Sequence, residues 1–159
     1  MRNSRLLFGT LIAAGTFLTV SNAYAVPCKG YGAGKSAKAV MVHKAKDGSQ
    51  ILLVGSTRIQ AFETPDNYPA DKSWQNCSGL WTLAADKKSG SGSGHCYAVD
   101  ADGDQHVVRW EGTHEGGTWA DVSGTGKYAD SNAGKGTWSP SRSYGDGLKV
   151  FPFEGECDN

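Results

Sequence analysis

No stretch of this chain carries the 3.6-residue apolar period of an amphipathic helix, which argues against any helical architecture. Basic charge is not in excess either. Lys+Arg and Asp+Glu number 16 each, and no basic stripe exists to hold a phosphate backbone, so nucleic acid is not an expected partner. Beyond Val20 no second long apolar run occurs, so nothing after the leader is expected to enter a membrane. There is no C-x-x-C pair and no Cys/His cluster, which removes the usual zinc frameworks; no metal and no cofactor are expected. Gly90-Ser91-Gly92-Ser93-Gly94 spells G-x-S-x-G, but in a repetitive tip without the strand-to-helix elbow that exposes a nucleophile. Gly124-x-Gly126 has no helix after it and cannot serve as a dinucleotide loop.

What is present begins with a leader. Arg2 and Arg5 make a positive start, Leu6 to Val20 is apolar, and Ala23-Tyr24-Ala25 offers small residues at the −3 and −1 positions of a cleavage site. A membrane anchor would need about 20 apolar residues, more than this run supplies. A cleaved signal peptide over residues 1–25 is expected, followed by one domain over 26–159 in the periplasm or secreted. Losing Arg2 and Arg5 leaves the remainder slightly acidic.

All four cysteines, at 28, 77, 96 and 157, lie after the leader. An even count in an exported chain points to two disulfides. Three connectivities exist, and Cys28–Cys157 with Cys77–Cys96 is expected, because the first and last strands of a closed barrel are neighbours.

The expectation of a barrel comes from the pattern of runs and turns. Val26 to Gly34 is Gly-rich and reads as irregular. Lys35–Ala45 alternates, its partner Gln50–Glu63 opens with the continuous apolar run Ile51-Leu52-Leu53-Val54, Asp47-Gly48 between them is a hairpin signal, and Gly55 reads as a bulge. Residues 64–76, with Pro65 and Pro69, form the longest connection, and Ser78–Ala85 is the next strand, ending in the flexible tip 87–94. A second hairpin runs from Cys96 through Asp100–Asp104 to Glu111, and strands near 117–122, 134–139 and 148–154 follow. The fold class is all-β: a single antiparallel closed barrel of about eight strands, disulfide-stapled. Asp100, Asp102, Asp104 and Glu111 have EF-hand spacing, but Gln105 stands where the loop requires glycine and no helix follows, so a solvated acidic turn is expected.

Within Cys96–Trp138, Cys96-Tyr97-Ala98-Val99-Asp100-Ala101-Asp102-Gly103-Asp104 is followed by Trp110-Glu111-Gly112-Thr113, then by Gly116-Gly117-Thr118-Trp119 and Gly124-Thr125-Gly126-Lys127-Tyr128, then by Gly134–Trp138. This arrangement resembles exported bacterial relatives of the allene oxide cyclase/dirigent-type, calycin-like barrels. The resemblance implies eight strands around a central cavity. The plant cyclases steer a ring closure with a cavity water and a carboxylate, and no residue of that set maps here by motif.

The aromatic series is the candidate site. Trp81, Tyr97, Trp110, Trp119 and Trp138 fall on five consecutive strands, and His106 shares a strand face with Val108 and Trp110. Together they either fill the barrel or line a cavity for a small, largely apolar molecule. His43, His95 and His114 carry no visible ligand set. Two functions are therefore expected in competition. One is a binder of a small apolar molecule, with cyclase- or isomerase-like activity left open by the resemblance. The other is a protein-interaction or inhibitor module that uses the barrel as a scaffold for its long polar loops. The position of Tyr68 and Trp74 discriminates them: an exposed patch favours interaction, a lid over a cavity favours the ligand.

Overall fold

The computed structural model describes residues 25–65, 68–129 and 134–158. The expected leader lies outside the described residues, apart from Ala25. Ten strands follow: β1 (Ala25–Ser36), β2 (Val40–Lys44), β3 (Gln50–Thr64), β4 (Trp74–Leu83), β5 (Gly90–Val99), β6 (Gln105–Thr113), β7 (Gly116–Gly124), β8 (Lys135–Trp138), β9 (Arg142–Ser143) and β10 (Leu148–Asp158). Two single 3-10 turns, Gly126–Tyr128 and Gly145–Gly147, are the sole helical pieces among the described residues, and no described helix is long and apolar enough to cross a membrane.

Antiparallel pairing runs β1-β10-β8-β7-β6-β5-β4-β3, and β3 then pairs back onto β1 over Ser36↔Ser56 to Lys29↔Thr64, which closes an eight-stranded barrel. The two remaining strands extend existing lanes. β2 continues β1 along β3, after a break at residues 37–39, and β9 continues β8 along β10, after Pro140. Closure removes the free hydrogen-bonding edge that an open sheet would expose along these lanes.

Local chemistry sets the hairpins. Gly48 (φ +91) and Gly103 (φ +90) take the left-handed backbone that each Asp-Gly turn requires. Beside them, Asp47 Oδ1 accepts from the Ser49 amide at 2.9 Å, and Asp100 Oδ1 accepts from the Asp102 and Asp104 amides at 2.9 and 3.1 Å.

Several expectations are corrected. Val26–Gly34 is not irregular; it is the closing strand β1, and its alternation is hidden because glycines occupy the inward positions. The Gly/Ser tip is not flexible over its whole length: Gly90 is paired with β4, and residues 91–94 are paired with both β4 and β6. Gly55 is no bulge, since Val54↔Gly79 and Gly55↔Ser78 are in continuous register. It marks instead where the neighbour of β3 changes from β1 to β2, and its carbonyl accepts from the Ala37 amide at 2.8 Å.

Both expected disulfides are present and no described cysteine is free. Cys28–Cys157 ties the first strand to the last across 129 residues, and Cys77–Cys96 joins directly opposed positions of β4 and β5.

Candidate functional site

Inside the barrel is a cavity of about 240 Å³. One end is plugged. Cys28, Cys157, Tyr68, Ala70 and Tyr128 form a buried cluster there, with Phe62 and Trp119 packed against it. Tyr68 and Ala70 arrive from the β3–β4 connection, which is pinned by the Asp71 carboxylate accepting from the Phe62 amide (2.9 Å) and by the Ser73 carbonyl accepting from Gln60 (2.9 Å). Phe62 contacts Tyr68 at 4.5 Å and Phe153 at 5.1 Å between ring centroids, so aromatic rings pack around the disulfide and Ala70 in the plug.

The walls follow a rule that depends on register. Gly79 opposes Gly94, Gly112 opposes Gly117, and Gly136 opposes Gly155. An indole from a neighbouring strand lies against each pair. A Cβ at Gly79 would come within 2.5 Å of Trp110, one at Gly112 within 2.5 Å of Trp138, and one at Gly136 within 2.8 Å of Trp119. Gly92, opposite Trp81, carries the Trp81 ring in the same way, at 2.5 Å. The bare backbone lets each ring lie close to the sheet rather than project to the axis, and this is what leaves a lumen. Trp119 Nε1 donates to Thr137 O and Trp138 Nε1 to Glu111 O, each at 3.2 Å, which fixes two of the rings.

The polar lining has two groups. On β3 and β4, Arg58 Nε donates to Gln75 Oε1 at 2.8 Å, Gln75 Nε2 donates to Gln60 Oε1, and Arg58 Nη2 reaches Cys96 Sγ at 3.3 Å. The guanidinium also stands 5.4 Å from the centroid of the Phe151 ring. Burial pulls Arg58 down from its ordinary value to about 10, which leaves it charged at neutral pH. On β6 and β7, His106 Nδ1 lies 3.4 Å from Asp121 Oδ1, and the imidazole stacks on Tyr128 at 4.8 Å. His106 Nε2 and Trp110 Nε1 are buried and have no hydrogen-bond partner among the described residues. Such groups are uncommon in a folded interior, and both belong to residues that line the cavity.

Below this layer a clasp holds the plugged end. Asp100, expected to be solvated, is buried. Its Oδ2 accepts from Tyr128 Oη at 2.9 Å and pairs with Lys127 Nζ at 2.8 Å, while the same ammonium reaches Asp102 Oδ2 at 2.6 Å. Lys127 thus sits between carboxylates whose spacing resembles a calcium loop. Burial tends to raise the Asp100 carboxyl, but hydrogen bonds from Lys127, Tyr128 and the Asp102 amide outweigh it and hold the group below its ordinary value. Burial and then the Asp100 bond push the Tyr128 phenol well up. Gly124–Tyr128 is therefore the strap over the Asp100–Asp104 turn, with the Gln105 amide donating to Thr125 Oγ1 (3.0 Å) and the Lys127 amide to Asp104 Oδ2 (3.3 Å).

Of the residues singled out from sequence, Trp81, His106, Trp110, Trp119 and Trp138 come together around the cavity. Tyr97 does not; it lies between inward Cys96 and Ala98 and is 41% exposed on the outer face. His114 is exposed at the β6–β7 turn, its ring 5.2 Å from that of Trp81. Tyr68 is buried against the cavity, whereas Trp74 is 42% exposed, so the two form no common patch. Sequence reasoning missed Arg58, Gln60 and Gln75. Along β3 polarity does not sort by face: Leu53 and Ile59 are exposed outside, while Ser56, Arg58 and Gln60 line the lumen together with Val54 and Phe62. A period of two separates the faces of a strand without saying which is inward.

No family model, curated protein or solved structure matches this chain.

Proposed function

We propose that this protein is an exported, disulfide-stapled barrel that binds a small, largely apolar molecule in its lumen, related to the allene oxide cyclase/dirigent-type barrels its motifs resemble. The observation that carries this reading is the seating of Trp81, Trp110, Trp119 and Trp138 against inward glycines, which lines the lumen with indoles without filling it. A cavity of about 240 Å³ exceeds the ~150 Å³ that admits a benzene, so one- and two-ring molecules are of the right size. Two disulfides support an oxidising compartment.

The test is a tryptophan-fluorescence titration of the purified protein with neutral two-ring and short-chain apolar probes. Saturable quenching by at least one of them, weakened by filling the lumen with Val54→Phe, is expected. An absence of binding across such a panel defeats the reading.

The interaction-module reading has less support, because Tyr68 packs into the cavity instead of joining Trp74 on the surface. Cyclase- or isomerase-like chemistry draws on His106, whose Nδ1 faces Asp121 while Nε2 has no hydrogen-bond partner among the described residues, an arrangement suited to moving a proton. If that chemistry operates, His106→Gln abolishes turnover of a bound substrate while leaving its binding within a few-fold.

A further inference from the structure

The lumen is apolar over most of its wall, yet it contains a guanidinium. Arg58 is held there by neutral partners alone: Gln75, the sulfur of Cys96 and the Phe151 ring. Among the described residues no carboxylate lies within ion-pair distance of it; the ion pairs of the described chain involve Lys29, Lys72, His106 and Lys127. The other charged or titratable side chains lining the cavity are Asp121, His106, Tyr68 and Tyr128. Asp121 faces His106 on β7, and β7 is four lanes from β3 in a ring of eight, the opposite wall. Tyr128 is committed to Asp100.

A buried charge without a counter-charge is costly, and Arg58 is not there by default. Its stem crosses β1 over Gly32, where a Cβ would come within 2.8 Å of Arg58 Cδ, so the sequence reserves space for this rotamer. The Gln60–Gln75 pair then fixes the fork through Nε, and Nη1 has no protein acceptor among the described residues. A planar cation fixed at one edge, with donors left over in an apolar chamber, matches a carboxylate, which accepts two parallel N–H bonds. Trp110 Nε1 and His106 Nε2, both lining the same chamber, add polar contacts for the remainder of a ligand.

We infer that the ligand is a small monocarboxylic acid with an apolar one- or two-ring or short-chain body, its carboxylate on Arg58 and its body against the indoles. This rests on the cavity-binding reading above and sharpens it to an anionic amphiphile.

The experiment compares 2-naphthoate with the neutral, equally sized 2-naphthamide at pH 7.5, by tryptophan quenching and calorimetry, on wild type, Arg58→Met and Arg58→Lys. Wild type should bind naphthoate at least tenfold more tightly than naphthamide. Arg58→Met should abolish that preference, and Arg58→Lys should keep part of it. Equal affinities in wild type, or a preference that survives in Arg58→Met, overturns the carboxylate assignment and leaves the cavity reading standing. Failure of both probes to bind wild type defeats the two together. The comparison within wild type decides the matter whether or not the variants fold.

Discussion

The indole of Trp110 lies so close to Gly94 that a Cβ on the glycine would stand 2.7 Å from Trp110 Cζ2. Gly94 is paired with Gly79, and the same ring covers both. The contact decides whether the barrel is a filled core or a cup, since any side chain beneath the ring would push it toward the axis.

Gly94→Ala should therefore destabilise the protein by about 1–3 kcal/mol, the usual cost of forcing volume into a packed wall. The new methyl meets Trp110, the Ser78 carbonyl and Gly79 at once. Urea denaturation measures it. A change below about 0.5 kcal/mol would show that the ring and strand adapt freely, and the wall would not be tight.

The two disulfides should contribute unequally. Cys28–Cys157 spans 129 residues and Cys77–Cys96 spans 19, so by loop-closure entropy their removal costs about 5 and about 3 kcal/mol. Paired Cys→Ala variants, compared by denaturation midpoint, should rank in that order. The reverse order would mean that strand geometry, not chain entropy, dominates.

The Asp100 clasp gives a pH-dependent term. Its carboxyl is held below the ordinary range in the folded protein, so its contribution is present above the unfolded-state value of about 3.9 and is lost as pH falls through the folded value. Asp100→Asn should lower the melting temperature at pH 7, with the gap to wild type closing as pH falls below about 4. Tyr128→Phe, which removes one bond to that carboxylate, should cost about 1.5–3 kcal/mol at neutral pH. A gap for Asp100→Asn that is constant from pH 7 to pH 3 refutes the charge-based account.

Arg58 should prove dispensable for folding. It is a desolvated charge without an acidic partner among the described residues, so Arg58→Met is expected to leave the melting temperature of the unliganded protein unchanged or raised. Calorimetry checks this. A loss above about 1.5 kcal/mol would assign the guanidinium a structural role through Gln75.

Much of the fold is written in local chemistry. Asp47-Gly48 and Asp102-Gly103 make their hairpins because the turn needs a left-handed residue, and His106, Val108 and Trp110 share an inward face because a strand alternates. The β1 strand was illegible because its inward positions are glycines, so no apolar alternation exists to be read. Likewise residues 91–94 look like part of a flexible tip, and become a strand only when β4 and β6 pair with them.

By itself the sequence determined the class of fold, the two Asp-Gly turns and the pairing of the cysteines once the barrel was assumed to close. Those follow from period-two patterning, positive-φ residues and the adjacency of first and last strands. Only the tertiary structure decided which face of each strand is inside, which glycines oppose each other beneath an indole, and that Arg58 rather than Tyr97 belongs to the lumen. The reason is physical. Alternation is symmetric between the two faces of a strand, and the choice between them is made by register and closure, through contacts between residues far apart in the chain.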